Sequence, residues 1–134
     1  MPSSDIKKHK KKKTIKHPET GIGLAWDRIG GAWKVEILWQ LRSGPLRFGE
    51  IKSRIPAISD RMLSLSLKEL ETASLLHREI FAEIPPRVIY TLTPEAGELI
   101  PILQKLNSWG LKKIATKPHE QIEGGHDEEK IEWA

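Results

Sequence analysis

Between Ile58 and Glu71 the chain reads ISDRMLSLSLKELE. Wound at 100° per residue, Leu63, Leu67 and Leu70 fall on one side of a helix, and Arg61, Ser64, Leu65 and Lys68 fall on the other. That second face carries two cations, a hydroxyl and one apolar side chain, with no acid among them. Such a set suits recognition rather than catalysis. Arginine and lysine pair with phosphate oxygens or with guanine O6 and N7, a serine hydroxyl serves several base edges, and a leucine packs on a thymine methyl. The solvated face of an ordinary amphipathic helix has the same composition, so the neighbouring elements must decide.

Other chemistry is poorly supplied. The chain has no cysteine, which removes disulfides, thiolate zinc sites, thiol nucleophiles and thiol redox switches together. Five histidines (His9, His17, His77, His119, His126) are scattered, and none stands four residues from another with an acid partner on a predicted helix. GIGLAW lacks both the third glycine and the preceding strand of a phosphate-binding loop. No nucleophile elbow supports a Ser-His-acid set. An enzyme is not expected, and neither a cofactor nor a metal is called for.

The elements around the basic face are sharply punctuated. In GIGLAWDRIGGAW, Leu24, Ala25, Arg28 and Ile29 mark a short helix stopped by Gly30-Gly31. Trp33, Ile37, Leu38 and Leu41 form one face of a second helix, which Ser43-Gly44-Pro45 ends. Phe48, Ile51 and Ile55 predict two helical turns closing before Pro56. Ser59 then stands as N-cap of the basic-faced helix, with Asp60 suited to its positive end, and the helix runs to about Thr72. Beyond it the period changes to two. LLHREIF and RVIYTL read as strands joined through AEIPP, an antiparallel ribbon with a protruding tip at Glu83 to Arg87. Thr93 and Pro94 open a long final helix whose stripe is Leu99, Ile102, Leu103, Leu106, Trp109 and Ile114, kinked at Pro101.

Charge is distributed unevenly along the 134 residues. Seven lysines against Asp5 give residues 1–17 about +6, and six acids against Lys117 and Lys130 give residues 117–134 about −4. Both ends lack periodic apolar residues and are expected to be disordered, so the organisation is a basic head (1–19), one domain (20–116) and an acidic tail (117–134). The head raises affinity for any polyanion without reading sequence, or serves only as a solubilising tail. No apolar run has the length of a membrane span and no signal-peptide core is present, which places the protein in the cytoplasm, away from membranes.

Helix, turn, basic-faced helix and ribbon, in that order, predict a mainly α fold with a small antiparallel β-ribbon, a winged helix-turn-helix. In it Arg61, Ser64, Leu65 and Lys68 are candidates for the major groove. Arg47, Lys52, Arg54, His77, Arg78 and Arg87 are candidates for phosphates, Arg87 at the tip also for the minor groove, and Ser59 is a further DNA-binding candidate. Lys34 and Arg42 are either further contacts or solvated. Trp26, Trp33, Trp39 and Trp109 are expected in the core and between protomers, or around an apolar effector pocket.

The stretches IGGAWKVEILWQL, SGPLRFGEIKSRIPAISDRMLSLSLKELETASLLHREIF, PPRVIYTLTPEAGEL and ILQKLNSWG resemble the HxlR-type winged-helix transcriptional regulators, over roughly Gly21 to Leu111. The resemblance implies a homodimer on an inverted-repeat operator in double-stranded DNA. Its interface would use N- and C-terminal helices, here Leu24, Trp26, Leu99, Ile102, Leu103, Leu106 and Trp109. The recognition helix would be Ser59–Thr72 and the wing Leu75–Thr91. Two departures stand out. The cysteine that thiol-sensing members carry before the first helix corresponds to Thr20, and the lysine usual after the paired glycines is Ala32. Any small-molecule effector is therefore not sensed by a thiol. The competing readings are a protein-interaction module using Leu65 and the ribbon edge, and a non-specific nucleic-acid binder driven by the lysine head.

Overall fold

The computed structural model describes residues 19–116; the acidic tail, and the basic head save its last residue, lie outside them. The order is α1 (Gly21–Ile29), α2 (Lys34–Gln40) running into a 3-10 turn (Leu41–Ser43), α3 (Phe48–Arg54), α4 (Asp60–Thr72), β1 (Leu76–Phe81), β2 (Arg87–Leu92), α5 (Pro94–Gly97) and α6 (Ile100–Thr116). The strands pair antiparallel, Leu76 opposite Leu92 and Phe81 opposite Arg87. This is the mainly helical fold with a small ribbon that the periodicities predict.

Helix ends follow from side-chain chemistry. Thr20 Oγ1 accepts the Gly23 N–H at 3.0 Å and starts α1. The paired glycines that stop it have separate reasons. A Cβ on Gly30 would stand 2.6 Å from the Trp26 carbonyl oxygen, and Gly31 adopts φ +117°. Ser59 Oγ accepts the Met62 N–H at 3.0 Å and starts α4 as expected. That helix ends without a glycine. Ser74 takes φ 65°, its N–H reaching Glu71 O at 3.0 Å and the Leu75 N–H reaching Leu70 O at 2.9 Å. Those two bonds are a Schellman closure with serine in the position glycine usually fills.

The core forms between α2, α3, α4 and the ribbon. Ile37 and Leu38 of α2, Ile51 of α3, Leu63, Leu67 and Leu70 of α4, and Leu75, Leu76 and Tyr90 of the ribbon are all buried. Full burial of a leucine is worth about 1.5–3 kcal/mol, so the three α4 leucines alone fix which face of that helix looks outward. Lys34 Nζ, 3.1 Å from Glu69 Oε1, ties α2 to α4. Lys34 is thus engaged, as is Arg42, which stacks 4.0 Å from the Trp39 ring centroid and donates to the Trp39 carbonyl at 2.8 Å.

Three features depart from the sequence expectation. Leu46, in the turn before α3, bridges Tyr90 by reciprocal backbone bonds of 3.1 and 2.9 Å, adding a one-residue third rung to the ribbon. The final helix is two helices, α5 and α6, rather than one kinked helix. Pro101 has no N–H for the Gly97 carbonyl and its ring crowds that carbonyl, so the break falls at Glu98 and Leu99, two to three residues upstream of the proline. Leu103, expected in the interface stripe, is 5% exposed and belongs to the protomer's own core.

Candidate nucleic-acid interface

With Leu63, Leu67 and Leu70 inward, α4 presents Arg61, Ser64, Leu65 and Lys68 to solvent, Leu65 at 44% exposure. Among the described residues no hydrogen bond or ion pair engages the side chains of Arg61, Lys68 or Arg78. Ser64 and Lys68 share one concavity of about 290 Å³ with Arg78 and Tyr90 of the ribbon and with Leu67 and Glu71. Lys68 and Arg78 against Glu71 leave its lining at +1, counting each as ionised. A hydroxyl and two unengaged cations converging on one hollow can hold a phosphate or a polar base edge.

Strand geometry separates the ribbon's two arginines. Side chains alternate between faces, and Arg78 pairs with Tyr90 while Arg87 pairs with Phe81. Arg78 therefore lies on the face turned to α4, and Arg87 on the opposite one. Arg87 is also occupied. Its Nη2 donates to Glu83 Oε2 at 2.8 Å and its guanidinium stacks 4.3 Å from the Phe81 centroid. The hydrogen bond from Arg87, then its charge and that of Arg47, hold the Glu83 carboxyl below the ordinary carboxylate range. The tip ends in Ile84, 99% exposed, and a cis Ile84–Pro85 bond.

The remaining predicted contacts divide. Lys52 donates its ammonium to the Ile58 carbonyl, and more weakly to that of Pro56 at 3.5 Å, so it braces the turn between α3 and α4. Arg54 Nη1 reaches Gln40 O at 3.4 Å, a long bond at an exposed site. The Ser59 hydroxyl oxygen accepts within the cap and keeps its own proton for an outside acceptor. Arg47 and His77 are exposed.

Large apolar side chains are exposed away from this face. Ile22, Leu24 and Trp26 of α1, and Ile102, Leu106, Trp109, Leu111 and Ile114 of α6, are all exposed. Trp33 and Trp39 instead pack partly against the core, so the four tryptophans among the described residues split evenly between inside and outside. Leu99 also packs partly against the core.

Sequence reasoning overlooked Arg28, which sits where an apolar stripe residue was counted. Its Nη1 donates to Glu95 Oε2 at 2.6 Å, and its Nη2 donates to the Ala73 carbonyl that caps α4. Thr93 supplies the donors for the next two carbonyls, its Oγ1 donating to Ser74 O at 2.9 Å and its N–H to Leu75 O at 3.2 Å. An arginine on the polar margin of a short helix gave no signal that it reached across the chain. Among the described residues no three His, Asp or Glu side chains are placed to hold a metal, and no helix is long and apolar enough to cross a membrane.

A recognition-type helix braced by a short helix and flanked by a ribbon defines a winged-helix transcriptional regulator. Residues 28–118 match the HxlR-like helix-turn-helix family, and the chain belongs to it. A helix-turn-helix transcriptional regulator of Methanothermobacter thermautotrophicus is 48% identical over 89 residues, 66% of this chain and 68% of that one. The redox regulator HypR in its oxidized form superposes with a TM-score of 0.67 at 36% identity, over 69% of this chain and 96% of that one. A crystal structure of the helix-turn-helix regulator ytcD gives a TM-score of 0.68 at 34% identity, over 72% and 98%. The family and these relatives are transcriptional regulators and not enzymes.

Proposed function

We propose that this regulator binds an inverted-repeat operator as a homodimer, α4 entering the major groove and the ribbon lying on the backbone or in the minor groove. The observation that carries the reading is the acid-free face Arg61–Ser64–Leu65–Lys68, unengaged within the described residues and continued by Arg78 across a shared hollow. Arg61 and Ser64 serve base edges, Leu65 a thymine methyl, and Lys68 and Arg78 phosphates. Arg47 and the Ser59 hydroxyl add backbone contacts, and Arg54 can join them by giving up one long bond. Lys52 acts indirectly, by holding the turn. Arg87 contributes only if DNA displaces Glu83 from it.

The exposed apolar residues of α1 and α6 support the dimer, because side chains of that size left in water at both ends of one domain gain from mutual burial. Leu24, Trp26, Ile102, Leu106 and Trp109 would lie in that interface, with Leu99 at its edge. HypR is a redox regulator, but the present chain has no thiol with which to sense oxidants.

Selection of bound duplexes from a randomised pool tests the proposal. It predicts two inverted half-sites whose centres lie one helical turn, about 34 Å, or a multiple of that apart. A pool that shows no motif after repeated rounds contradicts it.

A further inference from the structure

A cavity of about 250 Å³ opens between α1, the start of the ribbon and the segment joining α5 to α6. Ile29, Leu75, Leu99 and Ile102 give it apolar walls, the last two where it borders the proposed dimer interface, and Arg28, Glu95 and Glu98 give it its charge. Counting each as ionised, one guanidinium against two carboxylates leaves the lining at −1. Arg28 is committed to Glu95 and to the Ala73 carbonyl. Glu98 has no hydrogen-bonding or ion-pairing partner for its carboxylate among the described residues. The chemistry open to an incoming molecule is therefore an apolar body ending in a cation. An anion would have to displace Glu95 from Arg28 while facing Glu98.

We infer that this cavity binds a small hydrophobic organic cation, an amine or amidine on one ring or a short alkyl body, and that its occupancy alters operator affinity. The size sets the class, since the volume lies just under the ~300–1,000 Å³ of drug-sized sites. The coupling follows from Arg28. One guanidinium joins Glu95 on α5 to the carbonyl closing α4, so a cation that draws Glu95 toward itself removes one of the two anchors that hold Arg28 on the recognition helix. The Arg28–Glu95 pair is half in solvent, with side-chain exposures of 39% and 51%, and such a pair exchanges partners readily. Ligand energy is then spent on a contact that α4 shares.

The coupling rests on the DNA-binding reading; the site does not, and the test keeps them apart. Titration calorimetry of the full chain without DNA compares phenethylammonium with phenylacetate and 2-phenylethanol, probes of closely similar shape and three charges. The expected result is one phenethylammonium per protomer, bound at least about tenfold more tightly than either control. Glu98→Gln, an exposed change whose folding is checked by circular dichroism, should remove that preference, as should Glu95→Gln. Equal binding of the three probes, or an unaltered preference in Glu98→Gln, overturns the site. Anisotropy on the selected operator with saturating phenethylammonium then reads the coupling. A shift of about threefold or more in operator affinity supports it, and an unchanged affinity with the site occupied overturns it. Failure to bind any DNA contradicts the regulator proposal while leaving the calorimetric result standing.

Discussion

Arg78 and Arg87, ten residues of ribbon hairpin including both ends, lie on opposite faces of the wing: Arg78 shares a hollow with Ser64 and Lys68 of α4, and Arg87 is held by Glu83 over Phe81. The two are equivalent by composition and inequivalent by register. Arg78→Ala should weaken operator binding by about 1 kcal/mol and lower the salt slope by about one, as loss of a phosphate contact does. Arg87→Ala should leave the slope unchanged. Salt titrations of both variants on one duplex check this.

Arg61 stands alone on the first turn of α4, where side chains of a groove-bound helix reach base edges. Arg61→Ala is expected to cost about 1–3 kcal/mol on the operator and less on random duplex, relaxing the preference at one base pair. Equal losses on both duplexes would reassign it to a phosphate.

Ser74 holds φ 65° with an exposed side chain at the end of α4. Its closure depends on backbone bonds only, so Ser74→Gly keeps the geometry and relieves the left-handed penalty of about 1–2 kcal/mol, less the larger chain entropy of glycine at about 0.5–1. Thermal unfolding should show a neutral to stabilised variant, by up to about 1.5 kcal/mol. A marked loss would mean the serine side chain matters to the corner.

What the sequence made legible, and what it hid, follows one rule. Elements whose burial repeats locally were visible: the α4 leucines, the Ser59 and Thr93 caps, the period change at Leu75. Contacts made across the chain left no local mark. Arg28 meets Glu95 from 67 residues away, and Leu46 meets Tyr90 through backbone atoms that every residue possesses. The same applies to the candidate site. The outward face of α4 was readable because the inward one was, whereas the occupation of Lys52 by the turn and of Arg87 by Glu83 depends on where neighbouring groups come to rest. Leu103 shows the limit of a stripe, which tells which residues share a side but not whether a core or a partner covers it.

The Arg28 hydrogen bond, and then its charge, hold the Glu95 carboxyl below the ordinary carboxylate range, and Arg87 does the same to Glu83. A depressed folded value contributes stability that is complete above the unfolded carboxylate value and is lost as pH falls through the folded one. Stability should therefore decline on acidification below the ordinary carboxylate range. The decline should be shallower in a Glu83→Gln, Glu95→Gln variant. Melting curves from neutral pH down to about pH 3 read the difference, and parallel curves would show that neither pair matters.

Trp109 is half exposed on α6 beside Leu106. If these residues meet a second copy, Trp109→Glu should weaken dimerisation by about 2 kcal/mol or more, roughly thirtyfold, with the monomer fold retained. Sedimentation over a concentration series checks it. An unchanged equilibrium would move the interface elsewhere.

Whether α4 reads sequence is decided by fluorescence anisotropy on the selected duplex and on random duplex, each across a salt series. A recognition helix in the major groove should give at least about a thousandfold preference for the selected DNA that persists as salt rises. Equal affinities that collapse together with salt would contradict it, leaving only lysines against phosphate.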